Sequence, residues 1–325
     1  MLKTGVVAGA AVAMPWVAHA APIPVKLAHA ANEIHPGHIA ALEFKKAIER
    51  LAPGALDITI FPNRQLGDDK QNLESCVIGS LEMCGASGIL YPLVTGKPSL
   101  DAYQLPFLIG DYDQFAKLAL SDTAEKIHGE LEEAGLVGLQ TTDIGLRHFV
   151  SGNRPVTRLD DFAGLKTRIV PVPLHKAIWE GIGVAPIGLP YGEVYGALET
   201  KVIDACEINV SSMLSENLWE VGKHFTLTGQ YPWHNTLSMN KTFFDGLPAD
   251  LQEAVRQAGR ESVQPTLDYT ANQDHAGRDE LKAKGVEILN LEDLDAMKAK
   301  TAPIVEDWEK KSPLIAEFVA LARTT

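Results

Sequence analysis

The chain has 325 residues, of which 46% are hydrophobic and 22% charged, proportions typical of a soluble globular protein. Its formal net charge of −13 argues against a surface for nucleic acid or for an anionic membrane. The three cysteines, Cys76, Cys84 and Cys206, include no C-x-x-C pair. We expect them to be small buried hydrophobic side chains, with a Cys76–Cys84 disulfide as the alternative in an oxidising compartment.

The first 20 residues have the pattern of a secretory signal peptide. A short basic start at Lys3 precedes an apolar run over residues 5–17, and Ala18-His19-Ala20 supplies a small-residue cleavage pattern. The apolar run is too short to span a bilayer as a stable anchor. We therefore expect residues 1–20 to be cleaved on export.

Strands and helices alternate over the first third of the mature chain. Alternating apolar residues predict strands over 24–29 and 56–61, and an amphipathic helix over 35–51 lies between them. A further helix begins at Asp68-Asp69, and another strand precedes the small-residue loop 85–88. This order predicts an α/β sheet with helices on its faces.

The rest of the chain predicts a second lobe and a return to the first. A strand over 136–141 is followed by a second α/β unit over about 149–229, and residues 248–284 predict one long helix or two collinear helices. A ligand cleft between two such lobes is the expected consequence.

Two arginines stand at predicted strand edges. Residues 164–168 lead into the β-prone pair Ile169-Val170, so Arg168 is expected to begin a strand, and Arg147 follows an earlier strand. A guanidinium group offers a rigid pair of donors that matches a carboxylate. The pattern indicates a carrier of small organic anions, and not an enzyme.

Five signatures in order resemble those of the periplasmic solute-binding proteins of tripartite ATP-independent periplasmic (TRAP) transporters, the DctP-like family. They are Asn63-x-Gln65-Leu66-Gly67-Asp68, Gly164-Leu165-Lys166-x-Arg168, Tyr191-x-Glu193-Val194-Tyr195-x-Ala197-Leu198-Glu199, Val202-Ile203-Asp204-Ala205-x-Glu207 and Leu247-Pro248-x-Asp250-Leu251-Gln252. The resemblance implies an α/β, type II periplasmic-binding-protein-like fold, with a cleft between two lobes and a long helix that spans both. We expect lobe I to comprise residues 22–145 plus 233–272, and lobe II residues 146–232 plus 273–325.

The resemblance also implies roles for particular residues. Arg168 would bind the ligand carboxylate, Arg147 would assist, and Tyr191 would pack on the ligand. Ser87 and Gly88 stand where sialic-acid binders carry a glutamate, which argues against sialic acid as the ligand. The other expected ligand-binding residues are polar: Glu207, Asn209, Asn32, His35 and Asn235.

The same resemblance sets the expected surroundings of the protein. It would work in the periplasm, mostly as a monomer, and deliver its ligand to the membrane permease subunits of a TRAP transporter. No catalytic residue, cofactor or structural metal is expected. The ligand stays open among four-carbon dicarboxylates, sugar acids, 2-oxo acids and aromatic acids, the last if Tyr191, Trp233 and Tyr195 line the pocket.

Several alternatives compete with this interpretation. A secreted hydrolase would need G-x-S-x-G around Ser87, and Ile89 breaks that motif. A dehydrogenase would need G-x-G-x-x-G after the first strand, which is absent. His35 and His38 are too few for a zinc carrier. Two alternatives keep the fold: a cation that bridges ligand and protein near Glu207 and Trp233, and a sensor that presents ligand to a signalling protein.

Overall fold

The computed structural model describes residues 21–325, so the predicted signal peptide lies outside the described residues. The elements before residue 147 are β1 (Ile23–His29), α1 (Pro36–Leu51), β2 (Leu56–Phe61), α2 (Asp69–Val77), β3 (Met83–Ser87), α3 (Tyr91–Thr95), α4 (Tyr112–Ala119), α5 (Asp122–Glu130) and β4 (Leu136–Leu146). Those over 148–227 are β5 (His148–Ser151), β6 (Lys166–Ile169), α6 (Pro173–Ile182), β7 (Ala185–Gly188), α7 (Val194–Glu199), β8 (Ala205–Ile208), α8 (Val210–Ser215) and β9 (His224–Leu227). The last elements are β10 (Pro232–Asn240), α9 (Lys241–Asp245), α10 (Ala249–Ala283), β11 (Glu287–Asn290), α11 (Leu294–Glu309) and α12 (Pro313–Ala322).

The first lobe is built on a five-stranded sheet with the order β2-β1-β3-β10-β4. Strands β1, β2 and β3 are parallel, whereas β10 runs antiparallel to both of its neighbours. In β2, Leu56 and Ile58 are buried while Asp57 and Thr59 are exposed, as the alternation in the sequence predicts. The apolar face packs on Phe44 of α1, which is fully buried.

The second lobe is built on a six-stranded sheet with the order β11-β9-β5-β8-β6-β7. Strand β6 is parallel to both of its neighbours, β7 and β8, and β5 is antiparallel to β8 and β9. Strand β6 contains Arg168, as predicted, and pairs with β8 at Cys206. The predicted strand over 136–141 is longer in the structure and continues as β4 to Leu146.

The chain passes between the lobes at three places. It leaves the first sheet between β4 and β5, and it returns between β9 and β10, where the Arg147 amide donates to the Tyr231 carbonyl at 2.9 Å. The third connection is α10, one continuous helix that includes Pro265. It contacts α1 and β4 in the first lobe and α8 and β11 in the second.

Two glycines let α10 approach both lobes closely. A β-carbon on Gly259 would lie 2.2 Å from the Leu139 carbonyl oxygen of β4, and one on Gly277 would lie 2.5 Å from Val210 of α8. Glycine is therefore required at each contact, because any side chain would force the helix away from a lobe.

Helix α12 departs from the predicted division of the chain, which placed residues 273–325 in the second lobe. The Ser312 hydroxyl lies 2.9 Å from that of Ser99, and the Ala322 carbonyl accepts a 2.8 Å bond from the Gln114 amide. The buried face of α12 thus covers helices of the 98–130 segment. An amphipathic pattern tells which face of a helix is buried but not which lobe it covers. The other boundaries stay predictions.

The structure decides between the two predicted states of the cysteines. All three cysteines are free and buried, so the structure has no Cys76–Cys84 disulfide. Between residues 21 and 325, no helix combines the length and apolar character needed to cross a membrane.

The close approach of α10 to β4 predicts a specific stability change. We expect Gly259→Ala to lower the free energy of unfolding by about 1–3 kcal/mol, because the new methyl group overlaps the Leu139 carbonyl. Urea denaturation of residues 21–325 measures it. The matched control is Gly129→Ala in α5, where the added carbon has no atom within 4 Å apart from its chain neighbours and the backbone of its own helix. That variant should gain roughly 0.5–1 kcal/mol. Equal effects at both positions would contradict the close approach.

Candidate functional site

A cavity of about 540 Å³ lies between the two lobes. It opens at the carboxyl ends of parallel strands from both sheets: His29 ends β1 and Ser87 ends β3, while Arg168 lies near the end of β6. Open α/β sheets bind ligands at this edge, because the backbone and loops there leave a crevice. The volume suits a small molecule.

A buried ion-pair cluster forms the second-lobe side of the cavity. The Arg147 Nε donates to Glu207 Oε2, and its Nη2 donates to the Glu207 carbonyl oxygen at 2.7 Å. Both side chains are buried, at 2% and 0% exposure. The Arg147 guanidinium carbon also lies 3.9 Å from the centre of the Trp233 ring. The position of Arg147 is therefore fixed before any ligand arrives.

Arg168 is less fully engaged than Arg147. Its Nε donates to the Leu189 carbonyl at 3.0 Å, and its Nη1 lies 3.9 Å from Glu207 Oε1, beyond hydrogen-bond distance. Burial lowers the pKa of Arg168 below its ordinary value, but a guanidinium group still stays protonated. Its terminal nitrogens thus keep donor capacity toward the cavity that they line.

A carboxylate stands on the first-lobe side. Asp69 begins α2, and its Oδ2 accepts hydrogen bonds from the Ser87 amide at 3.0 Å and from the Ser87 hydroxyl. Burial, then the neighbouring Asp68 charge, raises the pKa of Asp69 to about 6. The preceding Asp68 caps α2, since Gln71 completes a capping box with it.

Neutral histidines line the same side. Burial lowers the pKa of His29 and of His35 to about 3, so both are uncharged at neutral pH. His29 Nε2 lies 3.0 Å from His38 Nδ1, and His35 Nδ1 accepts from the Gly37 amide at 3.0 Å. These rings offer hydrogen bonds without charge.

Four polar contacts join the lobes at the rim of the cavity. Arg64 forms a two-pronged ion pair with Glu216, at 2.8 and 3.3 Å. The other three contacts are Asn32 Nδ2 to the Ser215 carbonyl at 2.6 Å, His35 Nε2 to the Ser212 hydroxyl at 3.2 Å and the Gly192 amide to Asp68 Oδ2 at 3.4 Å. The structure is thus a form in which the lobes touch.

The structure brings six of the ten predicted ligand-binding residues to the cavity wall: Arg168, Arg147, Tyr191, Ser87, His35 and Asn235. Trp233 also lines the cavity. Tyr195 does not, and its hydroxyl donates a 2.6 Å hydrogen bond to Glu220. The remaining four predicted residues do not line the cavity, and each has a physical reason.

Two of these four residues serve the local fold. A β-carbon on Gly88 would lie 1.9 Å from the His234 ring, so this glycine makes room for a buried histidine. Asn209 caps α8 by accepting from the Ser212 amide, and its own amide donates to the Ile144 carbonyl at 2.5 Å. The sequence predicts a functional role for Gly88 and Asn209, but it does not tell which distant residue each of them contacts.

The other two, Glu207 and Asn32, contact residues near the cavity. Glu207 lies behind the arginines as their counter-ion, and Asn32 bridges the lobes at their rim. Glu207 Oε2 accepts from Arg147, while its Oε1 has no hydrogen-bond partner among the described residues. Among residues 21–325, no group of three or more His, Cys, Asp or Glu side chains is placed to hold a metal ion.

The sequence interpretation missed several residues of the site, notably Asp69, His29, Arg64 and Glu216. A signal existed for the first two: His29 ends a predicted parallel strand and Asp69 begins the helix after the next one, both at the carboxyl edge. No local signal pairs Arg64 with Glu216, because 152 residues separate them.

The chain matches the family model described as bacterial extracellular solute-binding protein, family 7, over residues 27–311. It is 33% identical over 245 residues to the C4-dicarboxylate-binding periplasmic protein DctP of Rhodobacter capsulatus, covering 75% of this chain and 73% of that one. It is 29% identical to the 2,3-diketo-L-gulonate-binding periplasmic protein YiaO of Escherichia coli K12, with coverages of 79% and 77%.

Solved structures agree. A TRAP periplasmic solute-binding protein from Bradyrhizobium sp. BTAi1, in complex with α/β-D-galacturonate, has a TM-score of 0.87 at 27% identity and covers 93% of this chain and 100% of that one. Another from Shewanella oneidensis, with bound succinate, has a TM-score of 0.85 at 25% identity with the same coverages. These matches confirm the predicted two-lobed fold. The chain belongs to the bacterial extracellular solute-binding protein family 7, the family of the TRAP periplasmic solute-binding proteins.

Proposed function

We propose that the protein captures a small organic carboxylate in the cavity between its lobes, with Arg168 as the principal anchor. The observation that carries the proposal is the state of the Arg168 guanidinium group, which is 2% exposed and lines the cavity. Its Nη1 lies 3.9 Å from the Glu207 carboxylate, which is too far for a hydrogen bond. A carboxylate ligand would accept from these nitrogens in a charge-assisted pair.

The names of the relatives support this ligand class. DctP of Rhodobacter capsulatus is named for C4-dicarboxylates, and the Bradyrhizobium structure holds galacturonate. All these molecules carry a carboxylate, which is the group that Arg168 is suited to bind. Tyr191 would pack on the ligand, and Ser87, His35 and Asn235 would hydrogen-bond its polar atoms.

Closure of the lobes would complete the binding site. In the open form, water would fill the cavity and the ligand would meet Arg168; hinge motion would then bring the first-lobe wall onto it. Excluding water strengthens each charge-assisted bond, because the local dielectric constant falls. The Arg64–Glu216 pair, which joins the lobes, would hold the closed form.

The remaining steps follow from the family. Residues 1–20 would direct export and be removed, and the mature protein would act in the periplasm as a monomeric carrier, without catalysing a reaction. The loaded form would deliver its ligand to the permease subunits of a TRAP transporter.

A thermal-shift screen of residues 21–325 against succinate, D-galacturonate, D-galactonate and neutral sugars tests the ligand class. A ligand at one hundred times its dissociation constant adds about 2.7 kcal/mol to the stability. We expect a shift with carboxylates alone, and a shift restricted to the neutral sugars would contradict the proposal.

For the acid with the largest shift, we expect Arg168→Ala to weaken binding by about 2–5 kcal/mol, since the ligand carboxylate would lie buried and unpaired. Isothermal titration calorimetry measures the affinity. Arg158→Ala is the control, because Arg158 is 60% exposed and pairs with Glu292 outside the cavity lining. Equal affinities for wild type and Arg168→Ala would rule out this anchor.

The rim contact predicts a kinetic effect. We expect Glu216→Gln to speed ligand dissociation several-fold, corresponding to about 1 kcal/mol, because a neutral amide holds Arg64 less strongly than a carboxylate does. Stopped-flow fluorescence measures the dissociation rate. Glu220→Gln is the control, since Glu220 bonds to Tyr195 within the second lobe. An unchanged rate in Glu216→Gln would show that this pair does not hold the closed form.

A further inference from the structure

The arginine end of the cavity carries a net charge of only one. Arg147 and Arg168 contribute two positive charges, and Glu207 offsets one of them from behind. These three groups are at most 2% exposed, so water screens them little. A single ligand carboxylate therefore neutralises this end.

The first-lobe wall of the same cavity carries the opposite sign. Asp69 lines it with one oxygen bonded to Ser87, and Asp68 of the same lobe also lines the cavity. Lys70 does not cancel Asp69, because its ammonium lies 3.4 Å from Glu74 in an exposed i,i+4 pair. Although burial and Asp68 raise its pKa to about 6, Asp69 is mostly ionised above neutral pH.

We propose that the cavity selects singly charged, hydroxylated carboxylates and rejects dicarboxylates, and that Asp69 determines this choice. This inference rests on the proposed function and narrows its ligand class. A second carboxylate directed at the first-lobe wall would meet the Asp69 charge inside a closed cavity, and like charges in such surroundings repel strongly. A hydroxyl group would instead donate to the Asp69 carboxylate.

Neutral polar groups beside Asp69 fit hydroxyl groups too. Ser87 and Asn235 are cross-strand partners on β3 and β10, and both line the cavity. The uncharged His29 ring adds a nitrogen, Nδ1, that has no hydrogen-bond partner among the described residues. Such a wall can both donate to and accept from several ligand hydroxyls, whereas a carboxylate would only accept.

The test compares acids that differ only in their distal group. D-galactonate and galactarate have the same six carbons and the same inner hydroxyls, but galactarate ends in a second carboxylate. 4-Hydroxybutyrate, succinate and 4-aminobutyrate form a four-carbon series with a distal hydroxyl, carboxylate or ammonium. Isothermal titration calorimetry at pH 7.5 on residues 21–325 gives each affinity.

We expect the hydroxyl member to bind at least about tenfold more tightly than its dicarboxylate partner, because of the repulsion by Asp69. Asp69→Asn should reduce this preference several-fold and mainly by strengthening dicarboxylate binding, since the amide keeps an oxygen for the Ser87 amide but loses the charge. Asp122→Asn is the matched control: Asp122 also begins a helix, α5, but is exposed and outside the cavity lining.

Each outcome decides a separate point. Tighter binding of galactarate or succinate than of its hydroxyl partner by the wild-type protein overturns this inference and leaves the carboxylate carrier standing. Tighter binding of 4-aminobutyrate overturns the hydroxyl preference in favour of a zwitterion. An equal preference in Asp69→Asn and wild type removes the role of Asp69. If no acid in the panel or in the thermal-shift screen binds, the proposed function itself fails.

Discussion

The structure depends on the buried cluster of Arg147, Glu207 and Arg168. Placing three ionised groups at 2% exposure or less is costly, and only mutual pairing makes it tolerable. Glu207 lies in β8, next to β6, and Arg147 lies in the crossing between β4 and β5. The cluster thereby ties the second sheet to the connection between the lobes. Removing Glu207 would leave two buried guanidinium groups without their counter-ion, a change that typically costs about 3–5 kcal/mol.

The same cluster would allow the cavity to bind the proposed anion in a protein with a net charge of −13. Its field is local, because low-dielectric walls surround the guanidinium groups and little water screens them. Arg147 is held by Glu207 and Trp233, so its geometry is set in advance, whereas Arg168 keeps free donors. Because Arg147 is already held in place, a ligand would have to order fewer side chains on binding, which lowers the entropy cost.

The contacts between the lobes are of two physical kinds. Helix α10 touches both lobes through glycines, at distances that leave no room for a side chain, and these contacts are suited to persist. The rim contacts are a few polar pairs, among them Arg64–Glu216, that water can replace in an open form. The closure proposed above would keep the packing of α10 and exchange the polar pairs at the rim for water.

The sequence by itself determined the local elements and the chemistry of the anion site. Alternation predicted the bounds of β2, the apolar residues after Arg168 predicted its strand, and the scarcity of glycine and proline over residues 248–284 predicted the long helix α10. These patterns depend on near neighbours in the chain. Only the tertiary structure decided that Glu207 pairs with the arginines outside the cavity lining, that Gly88 makes room for His234, and that α12 covers helices of residues 98–130. It also decided that Asp69 faces the cavity that Arg168 lines. These outcomes depend on residues up to 213 positions apart, as in the Ser99–Ser312 contact, and no local pattern records which distant side chain a buried group will meet.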